Sequence, residues 1–149
     1  LGSETRFDYS VIGDNVNVAS RLEGQSKTYD LMTIVGQSTK ERAPDFAYLE
    51  IDLLKMKGKT SATRVFTLLG DSALKESQAF IDLSAKHAAF LTSYRAKDWD
   101  AADALSHECE TMDGAHLDRL YALYRERIAF FRKTPPPPDW DGTAEALSK

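Results

Sequence analysis

The sequence predicts an α+β fold in which a mixed first part is followed by a helical second part. Up to residue 70, short β-rich segments alternate with turn residues and one clear helix, whereas residues 71–134 carry Ala, Leu, aromatic and charged residues at helical spacing. Residues 135–138 are four consecutive prolines, which cannot continue a helix. We therefore expect three segments: 1–70, 71–134 and an extended proline-rich tail at 135–149.

The first part is predicted to contain four strands and one long helix. The strands are the segments where β-branched and aromatic residues stand between turn residues, namely 7–12, 31–35, 46–56 and 64–69. Asp14 is a good N-cap for a helix that extends to about Tyr29, and Pro44 ends a short helical turn over residues 37–42. The sequence Lys-Gly-Lys-Thr-Ser at 57–61 predicts a hairpin or loop between the last two strands.

The second part is predicted to form two or three antiparallel helices. Its clearest signal is an apolar stripe at i, i+3, i+4, i+7, i+11 and i+14, made of Leu117, Leu120, Tyr121, Tyr124, Ile128 and Phe131. Apolar residues between Phe80 and Tyr94 indicate an earlier helix, and those between Ala101 and Cys109 a shorter one after a turn at 97–100. We expect the aromatic residues of the stripe to form a core rather than a cofactor site.

Composition and charge exclude several classes of function. The net charge is −4 and the basic residues are dispersed, so the chain lacks the basic stripe of a nucleic-acid-binding protein. Cys109 is the single cysteine and is expected to be a small buried side chain in a reducing compartment. The histidines His87, His107 and His116 form no convincing metal set. No apolar run approaches the roughly 20 residues needed to span a bilayer, and we do not expect residues 1–4 to be a signal peptide.

Asn17 and Arg21 are the first candidate functional residues. They are four residues apart on the predicted helix that follows Asp14, and therefore project from one face. The planar guanidinium of arginine suits phosphate oxygens, and an asparagine beside it can hold a ribose or phosphate oxygen. Taken alone, such a pair is more often part of a solvated helix face, so the pair by itself leaves both interpretations open.

The segment around this pair closely resembles the strand-turn-helix of class III adenylate and guanylate cyclases. It reads Arg-Phe-Asp-Tyr-Ser-Val-Ile-Gly-Asp-Asn-Val-Asn-Val-Ala-Ser-Arg-Leu-Glu at residues 6–23. The resemblance covers residues 2–70. It implies that the first part is the C-terminal half of a ferredoxin-like cyclase catalytic domain.

The resemblance also implies roles for individual residues. Asn17 and Arg21 would contact the ribose and the phosphates and stabilise the transition state of cyclisation. Ser10 takes the family position that helps to recognise the purine, and Val11 beside it is counted as a further substrate-binding residue. Lys57, the first lysine of the Lys-Gly-Lys turn, takes the position of a lysine that reaches the triphosphate.

The resemblance further implies a longer parent protein that converts ATP to cyclic AMP and pyrophosphate in intracellular signal transduction. In the family, two Mg²⁺ or Mn²⁺ ions are held by two aspartates in the first half of the catalytic domain. We therefore expect no metal ligand in this chain, and expect the chain alone to be inactive. Homodimeric members build each active site between two chains, so ATP and a second copy are the expected partners, and nucleic acid is not.

Other interpretations stay open. A degenerate cyclase-like domain could regulate or dimerise without catalysis, but it would be free to lose Asn17, Arg21 and Lys57, and all three are present. The helical tail could instead make the chain a protein-interaction module. The identity of the purine base is open as well, because the Ser10 hydroxyl can accept a hydrogen bond from adenine or donate one to guanine. A guanylate cyclase is therefore an alternative.

The second part carries two further resemblances. Residues 90–102 and the helix at Leu117 resemble one tetratricopeptide-type (TPR-like) hairpin, which cannot bury its stripe alone and is expected to pack within the cyclase assembly. The sequence Pro-Pro-Pro-Pro-Asp-Trp-Asp-Gly at 135–142 is similar to the tails of bacterial membrane cyclases with an extracytoplasmic CHASE-type sensor. This similarity implies a parent anchored in the inner membrane through its N-terminal part, with the present chain in the cytoplasm.

We expect Ser10→Ala in the parent to weaken discrimination between ATP and GTP more than it slows turnover. The reason is that the lost hydrogen bond to the base contributes on the order of 1 kcal/mol. The measurement is kcat/KM for both nucleotides in the variant and the unchanged protein. Equal selectivity in the two proteins would remove Ser10 from the site.

Overall fold

A computed structural model describes residues 33–55, 61–112 and 117–145, and the structural statements below concern these residues. They form an α+β structure with two compact units. The first unit contains the described residues up to Lys75 together with 143–145, and the second extends from Glu76 to Gly142. The predicted strand at 7–12 and the helix predicted after Asp14 lie outside the described residues, and the predicted divisions at residues 70 and 134 stay predictions.

The first unit is built on a four-stranded sheet with the strand order β1-β3-β2-β4. The strands are β1 (Ile34–Gly36), β2 (Ala47–Lys55), β3 (Ala62–Gly70) and β4 (Ala144–Glu145). β1 and β2 each pair with β3 in the antiparallel direction, whereas β4 pairs in parallel with the end of β2. Two short helices, α1 (Gln37–Arg42) and α2 (Ser72–Glu76), complete the described part of this unit.

Several predictions for this unit are confirmed. The helical turn at 37–42 is α1, and the strands expected at 46–56 and 64–69 are β2 and β3 with slightly different ends. The strand expected at 31–35 corresponds to β1, which begins at Ile34. No signal in the sequence predicted β4, because it is only two residues long and follows the proline-rich segment.

Both faces of the sheet are covered near its centre. Burial alternates along the first half of β2, where Ala47, Leu49 and Ile51 are buried, as expected for a strand with one face toward a core. In β3, three successive residues are buried, Val65, Phe66 and Thr67, so the second face is covered there too. On that second face Val35 and Phe66 form a small cluster with Tyr48, and the Lys40 ammonium lies 5.1 Å from the centre of the Phe66 ring. The Tyr48 hydroxyl donates to the Ala43 carbonyl at 2.8 Å, and burial raises the pKa of this phenol.

The second unit consists of three helices, α3 (Gln78–Arg95), α4 (Trp99–Met112) and α5 (Asp118–Lys133). Ser77 caps α3, because its hydroxyl accepts from the Phe80 amide at 3.2 Å. Three ion pairs join these described helices: Lys86 with Glu108 at 2.9 Å, Arg125 with Glu110 at 2.7 Å, and Arg132 with Asp100 at 2.9 Å. The hydrogen bond and charge of Glu108 raise the pKa of Lys86.

The core of this helical unit is aromatic, as the apolar stripe predicted. The stripe residues of α5 are buried up to Ile128, and Phe131 is half-buried. Phe90 packs edge to face against Tyr124, with ring centres 5.0 Å apart, and Tyr94 meets Tyr124 in the same way at 4.7 Å. Cys109 is buried, which confirms the predicted burial of its side chain.

The connection between α3 and α4 is shorter than the turn predicted at 97–100. Lys97 has a φ of 66°, and this left-handed conformation ends α3. Asp98 then caps the next helix: its side chain accepts from the Ala101 amide at 3.3 Å, and its carbonyl accepts from the Ala102 amide at 2.9 Å. Trp99 therefore belongs to α4 and not to the turn.

The proline-rich segment is not a free extended strut. It turns after Pro137, whose carbonyl accepts from the Trp140 amide at 3.0 Å. The ammonium of Lys97 donates to the carbonyls of Pro137 and Pro138, at 3.2 and 3.4 Å. The Trp140 ring lies 5.1 Å from that of Phe131 and 5.5 Å from that of Tyr94. The segment is held in the helical unit because its tryptophan buries apolar area there.

None of the helices in the three described ranges combines the length and the apolar character needed to cross a membrane.

We expect Phe90→Ala to lower the free energy of unfolding of the helical unit by about 3–5 kcal/mol, because Phe90 is fully buried among other rings. Phe130→Ala on α5 is the matched control, since Phe130 is 60% exposed and its truncation changes stability by about 0.5 kcal/mol or less. Both tryptophans of the chain, Trp99 and Trp140, lie in this unit, so denaturant unfolding followed by tryptophan fluorescence reports on it. Equal losses in the two variants would contradict the assignment of the core.

Candidate functional site

The five predicted site residues lie outside the described residues. Ser10, Val11, Asn17 and Arg21 precede residue 33, and Lys57 falls in the segment 56–60. The structure therefore neither brings these residues together nor separates them. It does describe β2 and β3, the two strands that come before and after the segment of Lys57.

The pairing of β2 with β3 is regular where it approaches Lys57. Leu54 lies opposite Thr63, and Lys55, the last residue of β2, lies opposite Ala62, the first residue of β3. The two strands are therefore paired up to the last residue of β2 and the first residue of β3 and form an antiparallel hairpin, and residues 56–60 of its connection lie outside the described residues. This confirms the predicted hairpin connection as far as the described residues define it. Lys57 is the second residue after the paired end of β2.

A β-bulge in β2 determines which residues beyond it face solvent. Glu50 pairs with Phe66 and Asp52 with Val65, so Ile51 is an extra residue in β2. After the bulge Leu54 is buried and Lys55 is exposed. The bulge thus leaves the lysine at the end of β2 in solvent, next to the connection.

Asp52, at the bulge, is fully buried and was not among the predicted site residues. Its Oδ1 accepts from the Leu53 amide at 2.9 Å. The signal for it was an acidic residue inside an otherwise apolar run, Leu-Glu-Ile-Asp-Leu-Leu at residues 49–54. A carboxylate in such a position requires hydrogen-bonding partners, and the bulge gives it one by placing the next amide beside it.

The end of this hairpin has strongly positive charge. Lysines stand at 55, 57 and 59, and residues 53–63 contain no Asp or Glu. Among the described residues of the hairpin, Arg64 forms an ion pair with Glu50 at 2.9 Å, away from the connection. Closely spaced lysines attract a polyanion such as a triphosphate, although an exposed lysine-rich turn is also common without a ligand. The arrangement can bind phosphate but offers no group for acid–base chemistry.

The part of the chain that the structure describes contains no group of three His, Cys, Asp or Glu side chains that could hold a metal ion. His87 is buried and shares a hydrogen bond of 2.8 Å with the Tyr121 hydroxyl, so it is a packing residue. His107 is exposed, and its Nδ1 lies 3.0 Å from the Asp103 carbonyl oxygen. His116 lies outside the described residues. The described donor groups thus do not fit a divalent metal site.

Part of the chain is similar to adenylate cyclases. It is 31% identical over 71 residues to adenylate cyclase 1 of Rhizobium meliloti (strain 1021), and 39% identical over 70 residues to an adenylate cyclase of Anabaena cylindrica. It is 30% identical over 73 residues to the terminal-differentiation-specific adenylate cyclase of Dictyostelium discoideum. These stretches cover 47%, 44% and 46% of this chain. A region of the chain is therefore related to nucleotide cyclases.

The chain spans only a small part of each of these relatives, namely 11%, 14% and 3% of their lengths. No family model matches the chain. No solved structure matches it significantly either.

We expect Lys57→Met in the parent to lower kcat/KM for ATP by about tenfold or more, because it would remove the charge-assisted contact to the triphosphate that the resemblance implies for Lys57. Lys59→Met is the matched control, since it removes the same charge from the same connection. We expect it to change kcat/KM by about twofold or less, because the resemblance assigns the contact with the triphosphate to Lys57 and not to Lys59. The measurement is kcat/KM for ATP by steady-state kinetics. Equal effects of the two substitutions would contradict a specific contact between Lys57 and the triphosphate.

Proposed function

We propose that this chain is the C-terminal part of a class III adenylate cyclase, which converts ATP to cyclic AMP and pyrophosphate. The observation that carries the proposal is the similarity of nearly half of the chain to three adenylate cyclases. Two features support it. The segment 6–23 contains Asn17 and Arg21 at the spacing of the resembled family, and the hairpin that follows has Lys57 in its connection. The described α+β structure is compatible with such a domain.

The proposed reaction needs donors that face the phosphates. The ribose 3′-oxygen loses its proton and bonds to the α-phosphorus while the bond from that phosphorus to the pyrophosphate oxygen breaks. Negative charge then accumulates on the nonbridging oxygens and on the leaving group. In the proposal Arg21 stabilises that charge with its fork of donors, Asn17 orients the ribose, and Lys57 binds the triphosphate.

The proposed reaction includes a metal ion, for which the described residues form no binding site. Mg²⁺ or Mn²⁺, when bound, would neutralise phosphate charge. We propose that its ligands come from the preceding half of the catalytic domain, as the resemblance implies. The roles proposed for Asn17, Arg21 and Lys57 do not depend on where the metal is held.

ATP is the proposed substrate because the three relatives are named adenylate cyclases. Ser10 and Val11 are the residues proposed to contact the base. The hydroxyl of Ser10 is compatible with either purine, so a guanylate cyclase would keep every other part of the proposal unchanged.

The proposed assembly is a homodimer with active sites shared between two chains. Asn17 and Arg21 would then act on a nucleotide whose metal ligands belong to the partner. We further propose that residues 71–134 form a TPR-like extension that packs within this assembly. The parent would be anchored in the inner membrane by a part that precedes this chain, with the present residues in the cytoplasm.

We expect Arg21→Ala in the parent to lower kcat by several orders of magnitude with a small change in KM, because the clamp acts mainly in the transition state. Arg119→Ala is the control for the loss of an arginine; Arg119 is a half-exposed residue whose ion pair with Glu126 is long, at 3.8 Å. That variant should retain the activity of the unchanged protein.

The Arg21 variant also tests the shared site. Mixing it with a parent chain that lacks one metal-binding aspartate should restore cyclic AMP formation, because one of the two sites in the mixed dimer then has every group. The readout is cyclic AMP formed after subunit exchange has been verified. Two inactive variants that stay inactive in a confirmed mixed dimer would show that the site is not shared.

A further inference from the structure

The tail of the helical unit ends in a tryptophan that packs on rings from all three helices of that unit. The centre of the Trp140 ring lies 5.5 Å from that of Tyr94 on α3, 6.0 Å from that of Trp99 on α4 and 5.1 Å from that of Phe131 on α5. We call Tyr94, Trp99 and Phe131 the ring cluster. Tyr94 is buried, whereas Trp99, Phe131 and Trp140 itself are half-buried, so Trp140 packs at the surface of the unit.

Further contacts hold the same end of the tail. The Lys97 ammonium donates to the carbonyls of Pro137 and Pro138, as described above. Gly142 is buried with a φ of 97°, a conformation that favours glycine. A Cβ at Gly142 would clash with the Arg95 side chain, whose Cδ would lie 3.1 Å away and whose Cγ would lie closer still. These anchors all lie between residues 137 and 142.

The link between α5 and the anchored end has a different character. Thr134 ends α5 with a φ of −131° and a ψ of 83°, which is neither helical nor regular extended backbone. Pro135 is exposed and Pro136 is half-buried. Consecutive prolines are restricted to an extended polyproline conformation that rises about 3 Å per residue. The link is therefore a stiff spacer that follows a hinge at Thr134.

A tail that swings away from its own unit uncovers two apolar surfaces at once. One is the ring cluster, and the other is the indole of Trp140. Exposing both to water is unfavourable, so each surface favours a new cover. A second copy of this chain has the same ring cluster and the same tail, and can therefore cover both surfaces with the same contacts. Only the conformation of the link has to differ between the two arrangements.

We propose that the ring cluster is an interaction surface for the tail of a second copy of this chain: two copies exchange tails, and Trp140 of each copy occupies the ring cluster of the other. The inference goes beyond the proposed function and does not rest on it, because no nucleotide and no catalytic residue takes part. Within one copy the tail competes at an effective concentration on the order of millimolar. The exchanged form is therefore populated at high concentration, or when the link cannot reach the ring cluster of its own copy.

The first experiment follows Trp140 by fluorine NMR in two versions of the 149-residue chain. The donor carries Trp99→Phe and Phe131→Ala and is labelled with 5-fluorotryptophan, so that Trp140, its one remaining tryptophan, carries the label while its own ring cluster is weakened. The acceptor is unlabelled and carries Trp140→Ala, which leaves a complete ring cluster without its tryptophan. The labelled chain with Trp99→Phe alone gives the signal of the packed ring.

We expect the acceptor to move at least half of the donor signal to the packed position when it is added to about 1 mM. The matched control is an acceptor that also carries Phe131→Ala and so lacks one ring of the cluster. We expect that acceptor to leave the donor signal unchanged, because the contact with Phe131 is then missing in both chains.

The second experiment changes only the link, so that every ring of the helical unit is kept. A chain without Pro136 has a link about 3 Å shorter, and its tail no longer reaches its own ring cluster. Pro136→Ala is the matched control, because it keeps the length of the link. We expect the shortened chain to have about twice the mass of this control in light scattering. Adding Trp140→Ala to the shortened chain should return it to the mass of the control.

The shortened chain, labelled and with Trp99→Phe, is also a second donor for the first experiment. A Trp140 signal that keeps its solvent-exposed position in both donors at about 1 mM acceptor, while circular dichroism shows folded helices, would overturn the inference. So would a shortened chain that has the mass of its control, since its tail would then serve one copy alone. Cyclic AMP formation in the parent bears on the proposed function and not on this exchange.

Discussion

The backbone pairing of β2 with β3 is the constraint on which the first unit depends. These two strands have nine residues each, and they are paired from Ala47 opposite Gly70 to Lys55 opposite Ala62. β1 attaches to β3 and β4 to β2, and strands of three and two residues have too few hydrogen bonds to persist without a longer partner. The hairpin therefore holds the short strands, and its closed end defines where the lysine-rich connection begins.

The main elements of the fold could be predicted because each has a local cause. β2 and β3 are rich in β-branched and apolar residues, and the stripe on α5 repeats with the period of a helix. The bulge at Ile51 could not be predicted, since Leu-Glu-Ile-Asp alternates like a regular strand and a bulge depends on the register of the partner strand. The docking of Trp140 was missed for a similar reason: its site is formed by rings on α3, α4 and α5, which are distant in sequence.

For the candidate site, the sequence predicts the residues, and the structure describes the strands on either side of Lys57. The hairpin around Lys57 follows from two β-rich segments separated by Lys-Gly-Lys, and β2 and β3 confirm it. The roles of Ser10, Asn17 and Arg21 follow from a family resemblance, because a helix face with an amide and a guanidinium is not specific for a nucleotide. The buried Asp52 shows the opposite case, in which a chemically notable residue has a structural explanation in the bulge that surrounds it.

The way in which Gly142 and Trp140 are held affects how the tail can change in length. Surface segments rich in proline usually tolerate inserted or deleted residues, because nothing depends on their span. Here the segment begins at Lys133, the last residue of α5, and ends at the packed ring of Trp140. Between these two residues, the Lys97 ammonium donates to the carbonyls of Pro137 and Pro138. One residue added to the proline run would displace the Trp140 ring from its neighbours or move Gly142 out of its buried position, where φ is 97° and a Cβ would clash with the Arg95 side chain. The length of the segment between the end of α5 and Trp140 is therefore constrained. Homologous tails that keep the tryptophan and the glycine should also keep the number of residues that separate these two residues from the last helix.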